Sequence, residues 1–263
     1  MTVGTLPPRV LRLRCMAQYI RTSGFASVDE LASHFGVSEM TVRRDLATLR
    51  KESLTVRARG GAFSLDAAAG VEPPFVAREV ENIAAKEAIG RAAARLVRPG
   101  QTIALDVGTT TLEVARNLGA LQPLSVLTFN VHAVLALALS QVTVYVPGGC
   151  LRPRELSFVG PLALDGLARF HPDVFFLSAA GVDRTRGITD YNMEEIAVKN
   201  ALMARSRRVI LVADASKFDR ASGLTVGPME ALHGVVTDQA PPPEYAALWE
   251  ERGVEIVVAG ADN

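Results

Sequence analysis

Apolar residues recur with a helical period in two short segments near the start of the chain. In the first, Leu31 and Phe35 share one helical face, and Ser27 and Glu30 have the spacing of a capping box, which begins a helix by satisfying its first amide groups. Gly36 follows, and glycine readily adopts the left-handed conformation that ends many helices. The pattern therefore predicts a short helix that stops at a tight turn.

The second segment predicts a helix that is apolar on one side and polar on the other. Val42, Leu46 and Leu49 lie at i, i+4 and i+7, which places them on one face. Two helices joined by a turn, with Thr and adjacent Arg on the outer face of the second, are typical of proteins that insert this helix into the DNA major groove. The candidate DNA-contacting residues of that face are Ser38, Glu39, Thr41, Arg43, Arg44 and Thr48. The alternative is an ordinary amphipathic helix pair with a solvated basic face.

A strand at 54–59 and a turn at Gly60 and Gly61 follow the helix pair. A helix-turn-helix followed by a small hairpin is a winged helix. Arg57 and Arg59 lie in the predicted wing, from which we expect them to reach phosphates or the minor groove. A plain solvated strand is the alternative interpretation of these two arginines.

Short apolar strands alternate with helices in the remainder of the chain. After a small-residue and Pro-rich linker at 64–74, a long helix is predicted at 75–97. Strands are then predicted at 102–106, 125–128, 142–146, 174–178, 209–213, 235–237 and 255–258, with helices between them at 112–118, 133–139, 162–170, 193–206 and 244–252. This alternation predicts a doubly wound, mostly parallel α/β sheet, whose ligand site should lie beyond the carboxyl ends of the strands.

Charge is distributed unevenly between these two parts. The 263-residue chain has no net charge, but residues 1–62 hold ten Lys or Arg and five Asp or Glu, leaving 18 and 23 for the rest. The first part is thus at +5 and the second at −5, which fits a basic DNA-binding domain carried by an acidic sensor. Hydrophobic residues make up 49 % of the chain, enough for a sizeable core.

The sequence contains no pattern typical of a metal site, a disulfide framework or a membrane anchor. Cys15 and Cys150 are far apart, and the four histidines are scattered without metal-ligand spacing. The longest apolar run, residues 133–139, is too short to span a bilayer. We therefore expect no metal, no cofactor and no membrane contact, and a cytoplasmic protein that associates with the nucleoid when bound to DNA.

A strand turns directly into a helix at residues 105–115, LDVGTTTLEVA. Gly108, Thr109, Thr110 and Thr111 follow Asp106, so amide groups, hydroxyls and a helix N-terminus converge, which is the usual chemistry of an anion or phosphate site. Neither a Walker loop nor GxGxxG is present, so no nucleotide is implied. The alternative is that the threonines only cap the helix.

The segments FGVSEMTVRRDL at 35–46 and RGGA at 59–62 resemble the DeoR family of bacterial transcriptional regulators. The resemblance continues through the 105–115 turn and through residues 147–149, 157–160, 180–183 and 214–218. It implies a sensor domain of the ribose-phosphate isomerase and CoA-transferase fold group that binds a phosphorylated sugar or related metabolite. The chain departs from the family pattern at Ser53 and Arg59, where glycine and histidine are usual.

Further residues can be interpreted against that resemblance. Gly148 and Gly149 either admit a ligand close to the backbone or form a tight turn, and Glu194 either binds sugar hydroxyls or is a helix-terminal charge. Lys199 is more readily explained as an exposed lysine, and Cys150 as structural. The candidate effector site thus comprises Asp106, Gly108, Thr109, Thr110, Thr111, Asn130, Gly148, Gly149, Gly181, Asp183, Glu194 and Lys217.

Two functions remain open. The first is a transcriptional regulator, most often a repressor in this family, with a winged helix-turn-helix at 1–63 and an effector-sensing α/β domain at 75–263. It would bind operator DNA as a homo-oligomer, a dimer or tetramer, and be released by a phosphorylated sugar. The second is an isomerase-like enzyme that uses Asp183 or Glu194 as a base, with the first domain as an accessory. The helix-turn-helix and the absence of a legible catalytic constellation favour the regulator.

Overall fold

The computed structural model describes residues 8–23, 25–51, 55–58, 61–64, 72–73 and 75–260. The chain divides into two compact units, Met1–Glu81 and Asn82–Asn263. Most of the predicted linker at 64–74 lies outside the described residues.

The first unit is a winged helix. Its helices and strands are α1 (Pro8–Ser23), β1 (Phe25–Ser27), α2 (Val28–Phe35), α3 (Glu39–Lys51), β2 (Thr55–Ala58) and β3 (Gly61–Ser64), followed by the short helix α4 (Phe75–Glu79). The strands form an antiparallel sheet in the order β1-β3-β2. Its core contains Met16, Ile20, Leu31, Val42 and Leu49. Gly61, predicted in the turn, is the first residue of β3.

Both ends of α2 and the start of α3 have the predicted local chemistry. The Ser27 hydroxyl accepts from Glu30 N at 3.1 Å, while the Glu30 carboxylate accepts from Ser27 N at 3.4 Å. Gly36 has φ 63°, where it ends α2 in the left-handed conformation. Ser38 then begins α3, since its hydroxyl accepts from Thr41 N at 3.3 Å. Residues close in sequence therefore provide hydrogen bonds to backbone groups at these helix ends.

The second unit contains six longer helices and twelve strands among its described residues. Its helices are α5 (Ile83–Ala94), α6 (Thr109–Leu118), α7 (Val131–Leu137), α8 (Pro161–Leu167), α9 (Met193–Met203) and α10 (Pro243–Glu251). The parallel strands are β4 (Thr102–Leu105), β5 (Ser125–Thr128), β6 (Thr143–Tyr145), β9 (Val174–Leu177), β12 (Arg208–Val212), β14 (Gly234–Thr237) and β15 (Glu255–Val258). All seven strands correspond to predicted ones.

These seven strands form one parallel sheet in the order β15-β14-β12-β9-β4-β5-β6. The chain runs outward from β4 to β6 and then crosses to β9, on the other side of β4. Helices α5, α6 and α7 pack on one face and α8, α9 and α10 on the other, in two separate clusters of buried residues. The sheet is therefore doubly wound, with its topological switch point between β4 and β9.

Short antiparallel strands were not predicted. They are β7 (Cys150–Arg152), β8 (Ser157–Val159), β10 (Gly181–Asp183), β11 (Gly187–Asp190) and β13 (Leu224–Gly227). β7 pairs with β8, and β11 lies between β10 and β13. At three or four residues each, they are too short for an alternating pattern to identify them.

The single helix predicted at 75–97 is wrong. Asn82 interrupts it in the left-handed conformation, with φ 49°, and separates α4 from α5. Asparagine tolerates this conformation better than most residues. Its side-chain amide donates to Asp214 at 3.1 Å and to Ser216 at 3.3 Å, so tertiary contacts hold the break in place.

Candidate functional site

The outer face of α3 is a continuous exposed stripe. Glu39, Met40, Arg43, Arg44 and Ala47 are all exposed, at the spacing of one helical face. Arg43 is ion-paired with Glu39 at 3.2 Å, whereas Arg44 has no ion pair among the described residues. This helix can therefore offer a free guanidinium to a phosphate or a base edge.

Other residues predicted for that surface contribute to the fold of the first unit. The hydroxyls of Ser38 and Thr41 lie 3.0 Å apart at the start of the helix. The Thr48 hydroxyl donates to Arg44 O at 3.1 Å and accepts from Arg9 at 3.2 Å. The Thr48 hydroxyl thus already forms a hydrogen bond with α1.

The wing is described only by its backbone. Arg57 lies in β2 opposite Ala62, and its side chain lies outside the described residues. Arg59 is outside them altogether. A DNA contact from either arginine therefore stays a prediction.

A buried carboxylate anchors α3 and was missed in the sequence analysis. Asp45 is 1 % exposed and lies 2.7 Å from the Arg12 guanidinium and 3.5 Å from that of Arg9. The signal was available, because Asp45 falls three residues after Val42 and four before Leu49, on the apolar face of the helix. Two arginines of α1 therefore hold α3 in place through ion pairs with Asp45.

In the second unit, the loops that follow β4 and β9 meet at the switch point of the sheet. Asp106 directly follows β4 and is completely buried. Its carboxylate accepts from Val107 N at 2.8 Å, and from Ser178 N at 2.8 Å and Ser178 Oγ at 3.0 Å beyond β9. A Cβ on Gly108 would lie 2.7 Å from Ser178 Oγ, so only glycine permits this approach of the two loops.

Lys199 of α9 completes the cluster beneath these loops. Its ammonium lies 2.5 Å from Asp106 Oδ2 and 2.8 Å from Asp190 Oδ2, and donates to Ser178 O at 3.3 Å. The expectation of an exposed Lys199 is wrong, since its side chain is 1 % exposed. Its spacing from Glu195, Val198 and Leu202, on the inward face of α9, is the sequence signal that could have located it.

The pKa values in this cluster follow from burial and charge. Burial raises the pKa of Asp106 to about 6, although the charge and hydrogen bond of Lys199 oppose the shift. For Lys199, burial lowers the pKa, but the charges of Asp106 and Asp190 outweigh burial and raise it above its ordinary value. The ammonium therefore stays charged, and its contacts are with groups of the protein itself.

The turn into α6 carries the polar groups that remain for a ligand. Thr111 is fully buried, and its hydroxyl donates to Asp106 O at 2.8 Å or Gly108 O at 3.0 Å. Thr109 and Thr110 are each 6 % exposed, and no hydrogen bond to their hydroxyls occurs among the described residues. Their amide groups lie in the first turn of a ten-residue helix, where the helix dipole favours an anion.

Asn130 lies at the carboxyl end of β5, next to β4 in the sheet. It is fully buried and begins α7, with its Oδ1 accepting from His132 N at 2.9 Å. Its Nδ2 has no hydrogen-bond partner among the described residues. An unpaired buried donor costs about 1–3 kcal/mol, which favours an oxygen acceptor from outside the protein at this position.

The predicted glycines have mixed explanations. Gly148 has φ 78° with open space where a Cβ would lie, as a close ligand approach or a turn requires. At Gly149, with φ 110°, a Cβ would lie 2.6 Å from Val159 O, so β8 excludes a side chain there. A Cβ on Gly181 would lie 2.2 Å from Arg220 O. Chain packing alone therefore accounts for Gly149 and Gly181.

Asp183, predicted to bind sugar hydroxyls, closes a turn. Its Oδ1 accepts from Thr185 N at 2.9 Å, Thr185 Oγ1 at 2.6 Å and Arg186 N at 2.8 Å. The hydrogen bond from the Thr185 hydroxyl is the main cause that lowers the Asp183 pKa. This carboxylate is therefore held between β10 and β11 as an anion.

The remaining charged candidates differ in position. Glu194 is exposed in the first turn of α9, while the unpredicted Glu195 is 2 % exposed and accepts from Arg152 at 2.8 Å and Ser157 at 2.5 Å. Lys217 is half-buried in a 3-10 turn, Ala215–Lys217, that follows β12. Of the charged candidates, only Lys217 follows a strand of the parallel sheet and keeps some exposure.

Two family models match the chain. The DeoR-like helix-turn-helix domain matches residues 12–68, and the DeoR C terminal sensor domain matches residues 81–239. The chain belongs to the DeoR family. Members of this family are transcriptional regulators, and the fold of this member is a helix-turn-helix unit followed by a parallel α/β unit.

Curated relatives in the DeoR family extend over nearly the whole chain. The putative aga operon transcriptional repressor of Escherichia coli O157:H7 is 32 % identical over 92 % of this chain and 91 % of its own length. The glycerol-3-phosphate regulon repressor of Escherichia coli strain K12 is 33 % identical, covering 91 % and 94 %.

A ribose 5-phosphate isomerase A from Methanocaldococcus jannaschii is a structural neighbour of this DeoR-family chain. It has a TM-score of 0.40 and 17 % identity, over 52 % of this chain and 55 % of its own. At that TM-score the likeness carries no argument. In the described part of the chain, no helix has the length and apolar composition to cross a membrane, and no three His, Cys, Asp or Glu side chains group as metal ligands would.

Proposed function

We propose that this DeoR-family member is a repressor of an operon for carbohydrate use, released from its operator by a phosphorylated sugar bound to the second unit. The observation that carries the proposal is the combination, in one chain, of a capped helix-turn-helix with a polar site at the switch point of a parallel sheet. We infer that it acts in the cytoplasm, on the nucleoid when bound to DNA.

The DNA-binding part of the proposal rests on α3. Arg44 is exposed without an ion pair among the described residues, and Arg43 lies beside it on the same stripe. We propose that Arg44 contacts a base edge or phosphate and that Arg57 and Arg59 of the wing contact phosphates. Loss of one phosphate contact should lower the salt dependence of binding by about one unit in the log–log slope.

The effector part rests on groups whose hydrogen-bonding capacity is free. We propose that the amides of residues 109–111 and the hydroxyls of Thr109 and Thr110 bind the phosphate, and that Asn130 Nδ2 donates to a sugar oxygen. Asp106 and Lys199 are buried and paired, so we assign them the role of fixing the loops after β4 and β9. Thr111 holds the same turn from within.

We also propose that the protein has no isomerase activity. Asp183, the candidate base of the enzyme alternative, accepts three hydrogen bonds on one oxygen within a turn, and its lowered pKa makes it a weak base. Glu194 is exposed on α9. Turnover of aldose or ketose phosphates by the purified protein would contradict this part of the proposal.

A homo-oligomer, either a dimer or a tetramer, completes the proposal. One winged helix reads few base pairs, and helix-turn-helix proteins usually bind two half-sites through a twofold dimer.

The test begins by selecting DNA. The purified full-length chain is used to enrich binding sites from random duplexes, and its affinity for the selected site is then measured by fluorescence anisotropy at fixed salt. Glycerol 3-phosphate and pentose, hexose and N-acetylamino-sugar phosphates are then added in turn, with the unphosphorylated compounds as controls. We expect one phosphorylated compound to weaken DNA binding and to raise the melting temperature of the free protein.

Two variants separate the two sites. Arg44→Ala should weaken specific DNA binding and keep the thermal shift with the active compound. Asn130→Ala should keep DNA binding and lose that compound's effect. If no duplex is enriched over random DNA, or if no phosphorylated compound alters binding, the corresponding half of the proposal is wrong.

A further inference from the structure

A continuous stretch of the second unit contains no charged residue. From Asn117 to Leu151 the sequence has no Asp, Glu, Lys or Arg, over 35 positions, although 21 % of the chain is charged. Arg116 and Arg152 flank it directly. The stretch includes β5, α7 and β6 and ends in β7. It therefore contains the last two strands at one end of the parallel sheet and the helix that lies between them in the chain.

Exposed apolar side chains are concentrated on the same side. Six of the ten large apolar side chains that are exposed in the described part of the chain lie between residues 135 and 162. They are Leu135 at 66 %, Leu139 at 101 %, Tyr145 at 43 %, Val146 at 41 %, Leu151 at 45 % and Leu162 at 70 % exposure. We call these six residues the β6-edge surface. Large apolar groups collected in this way mark interaction sites more often than scattered single ones do.

The strand within this surface lies at the outer edge of the sheet. β6 pairs with β5 on one side, and among the described residues no strand pairs with its other side. At the opposite edge, β15 carries the exposed Glu255, paired with Arg208 at 2.7 Å. Charged side chains are one of the devices with which proteins protect exposed edge strands. Only the β15 edge has that protection, so the β6 edge has the composition of a strand that is covered in the assembled protein.

The surface continues onto both sides of the sheet. Leu135 lies on α7 and Leu139 just beyond its end, on one face of the sheet, whereas Leu162 lies on α8, on the other. A partner that covers all six residues must therefore enclose the edge from both faces. A folded domain can do this, whereas a single peptide strand added to β6 would leave at least one of the helices uncovered.

We propose that the β6-edge surface is a twofold interface with the same surface of a second copy of this chain. A twofold axis brings the same surface of the two copies together. A net charge on that surface would therefore face an equal charge of the same sign. A charge-free surface avoids that repulsion entirely. Binding of a charged partner would instead require charges of the opposite sign on this surface. The 35 consecutive positions from 117 to 151 contain no charged residue.

The role of this interface in DNA binding rests on the proposed repressor function. Joining two second units at β6 gives two DNA-binding units per dimer, as recognition of two half-sites requires. The surface itself is argued from the second unit alone. Its existence and the regulatory role can therefore fail separately.

The test measures self-association of the full-length chain by sedimentation velocity over a range of concentrations. Leu139→Glu and Leu162→Glu place a charge on either face of the edge, at side chains exposed enough to leave the fold intact. Met193→Glu is the matched control, because Met193 is equally exposed at 70 % on α9 and is outside the surface. We expect the two edge variants to raise the dissociation constant of one association step at least tenfold, and the control to leave it unchanged.

Three results would overturn the interface: a monomeric wild type at all concentrations, unchanged association in both edge variants, or crosslinks that show the surface covered by the first unit of the same chain. Unchanged melting curves establish that the variants are folded. DNA binding is measured in parallel. Weakened association of the edge variants together with weakened binding to two half-sites supports both proposals. Weakened association of the edge variants, when the wild type binds no specific DNA, supports the interface and contradicts the repressor.

Discussion

Replacing Lys199 by methionine tests whether the buried cluster holds the second unit together by charge. Methionine keeps most of the length of the side chain and removes the ammonium. Asp106 would then lose the ammonium that lies 2.5 Å from its carboxylate, and Asp190 would lose the same contact at 2.8 Å. Both side chains are at least 90 % buried, so water cannot replace it.

The expected loss is large on the scale of a single substitution. Removing one partner of a buried ion pair costs about 3–5 kcal/mol in the free energy of unfolding. With a urea dependence of about 2–3 kcal/mol per molar, the midpoint of unfolding should fall by roughly 1–2 M. Replacing both Lys199 by methionine and Asp190 by asparagine should recover part of this loss, because only one buried carboxylate then remains.

The chain provides its own probe for this measurement. Trp249 is the single tryptophan of the sequence and is fully buried in the second unit. Its fluorescence in urea therefore reports unfolding of that unit and not of the winged helix.

The pH dependence separates lost charge from lost packing. The native pKa of Asp106, about 6, is above its ordinary value of 3.8, so between these values the native state binds more protons than the unfolded state. Stability from this group is therefore complete below pH 4 and declines, by about 3 kcal/mol in all, as pH rises through 6. In the methionine variant the pKa of Asp106 should rise further, so we expect the variant's loss of stability to be smaller at pH 5 than at pH 8. A deficit that is equal at both pH values would refute the electrostatic explanation.

Three further predictions concern separate contacts. Arg44→Ala should weaken specific DNA binding by about 1–3 kcal/mol in anisotropy titrations, and an unchanged affinity would remove Arg44 from the interface. Arg12→Ala leaves the buried Asp45 with only its longer contact, so the amides of α3 should exchange hydrogen faster while tryptophan fluorescence reports an unchanged midpoint; unaltered exchange would show that this pair does not hold the helix. Gly149→Ala should destabilise the second unit by about 1–3 kcal/mol, and by more than Gly148→Ala, because only the former meets backbone. Equal losses would contradict the steric argument.

Local interactions explain why part of the fold was predictable. The capping box at Ser27, the left-handed Gly36 and the cap at Ser38 each involve residues three or four positions apart, so the sequence contains the whole interaction. The seven parallel strands were also predicted, since strands buried on both faces are apolar runs regardless of which strand lies beside them. The winged helix and the doubly wound sheet follow from these elements.

Long-range contacts explain the errors. The break at Asn82 depends on Asp214 and Ser216, more than 130 residues away. The short strands β7 and β10 are defined only by pairing with their neighbours. Glu195 and Lys199 look like surface charges on a helix until their partners on other strands are known.

The sequence by itself determined the order of the two units, the strands of the sheet and the family to which the chain belongs, because those depend on periodicity and on motifs that are contiguous. The tertiary structure decided which polar residues are free and which are used. Asp106 and Lys199 are 93 positions apart and meet only because β4 and α9 fold against the same switch point. Burial there removes water from both, so each charge must be satisfied by the other, and the ligand is left to the amides, hydroxyls and Asn130 around them.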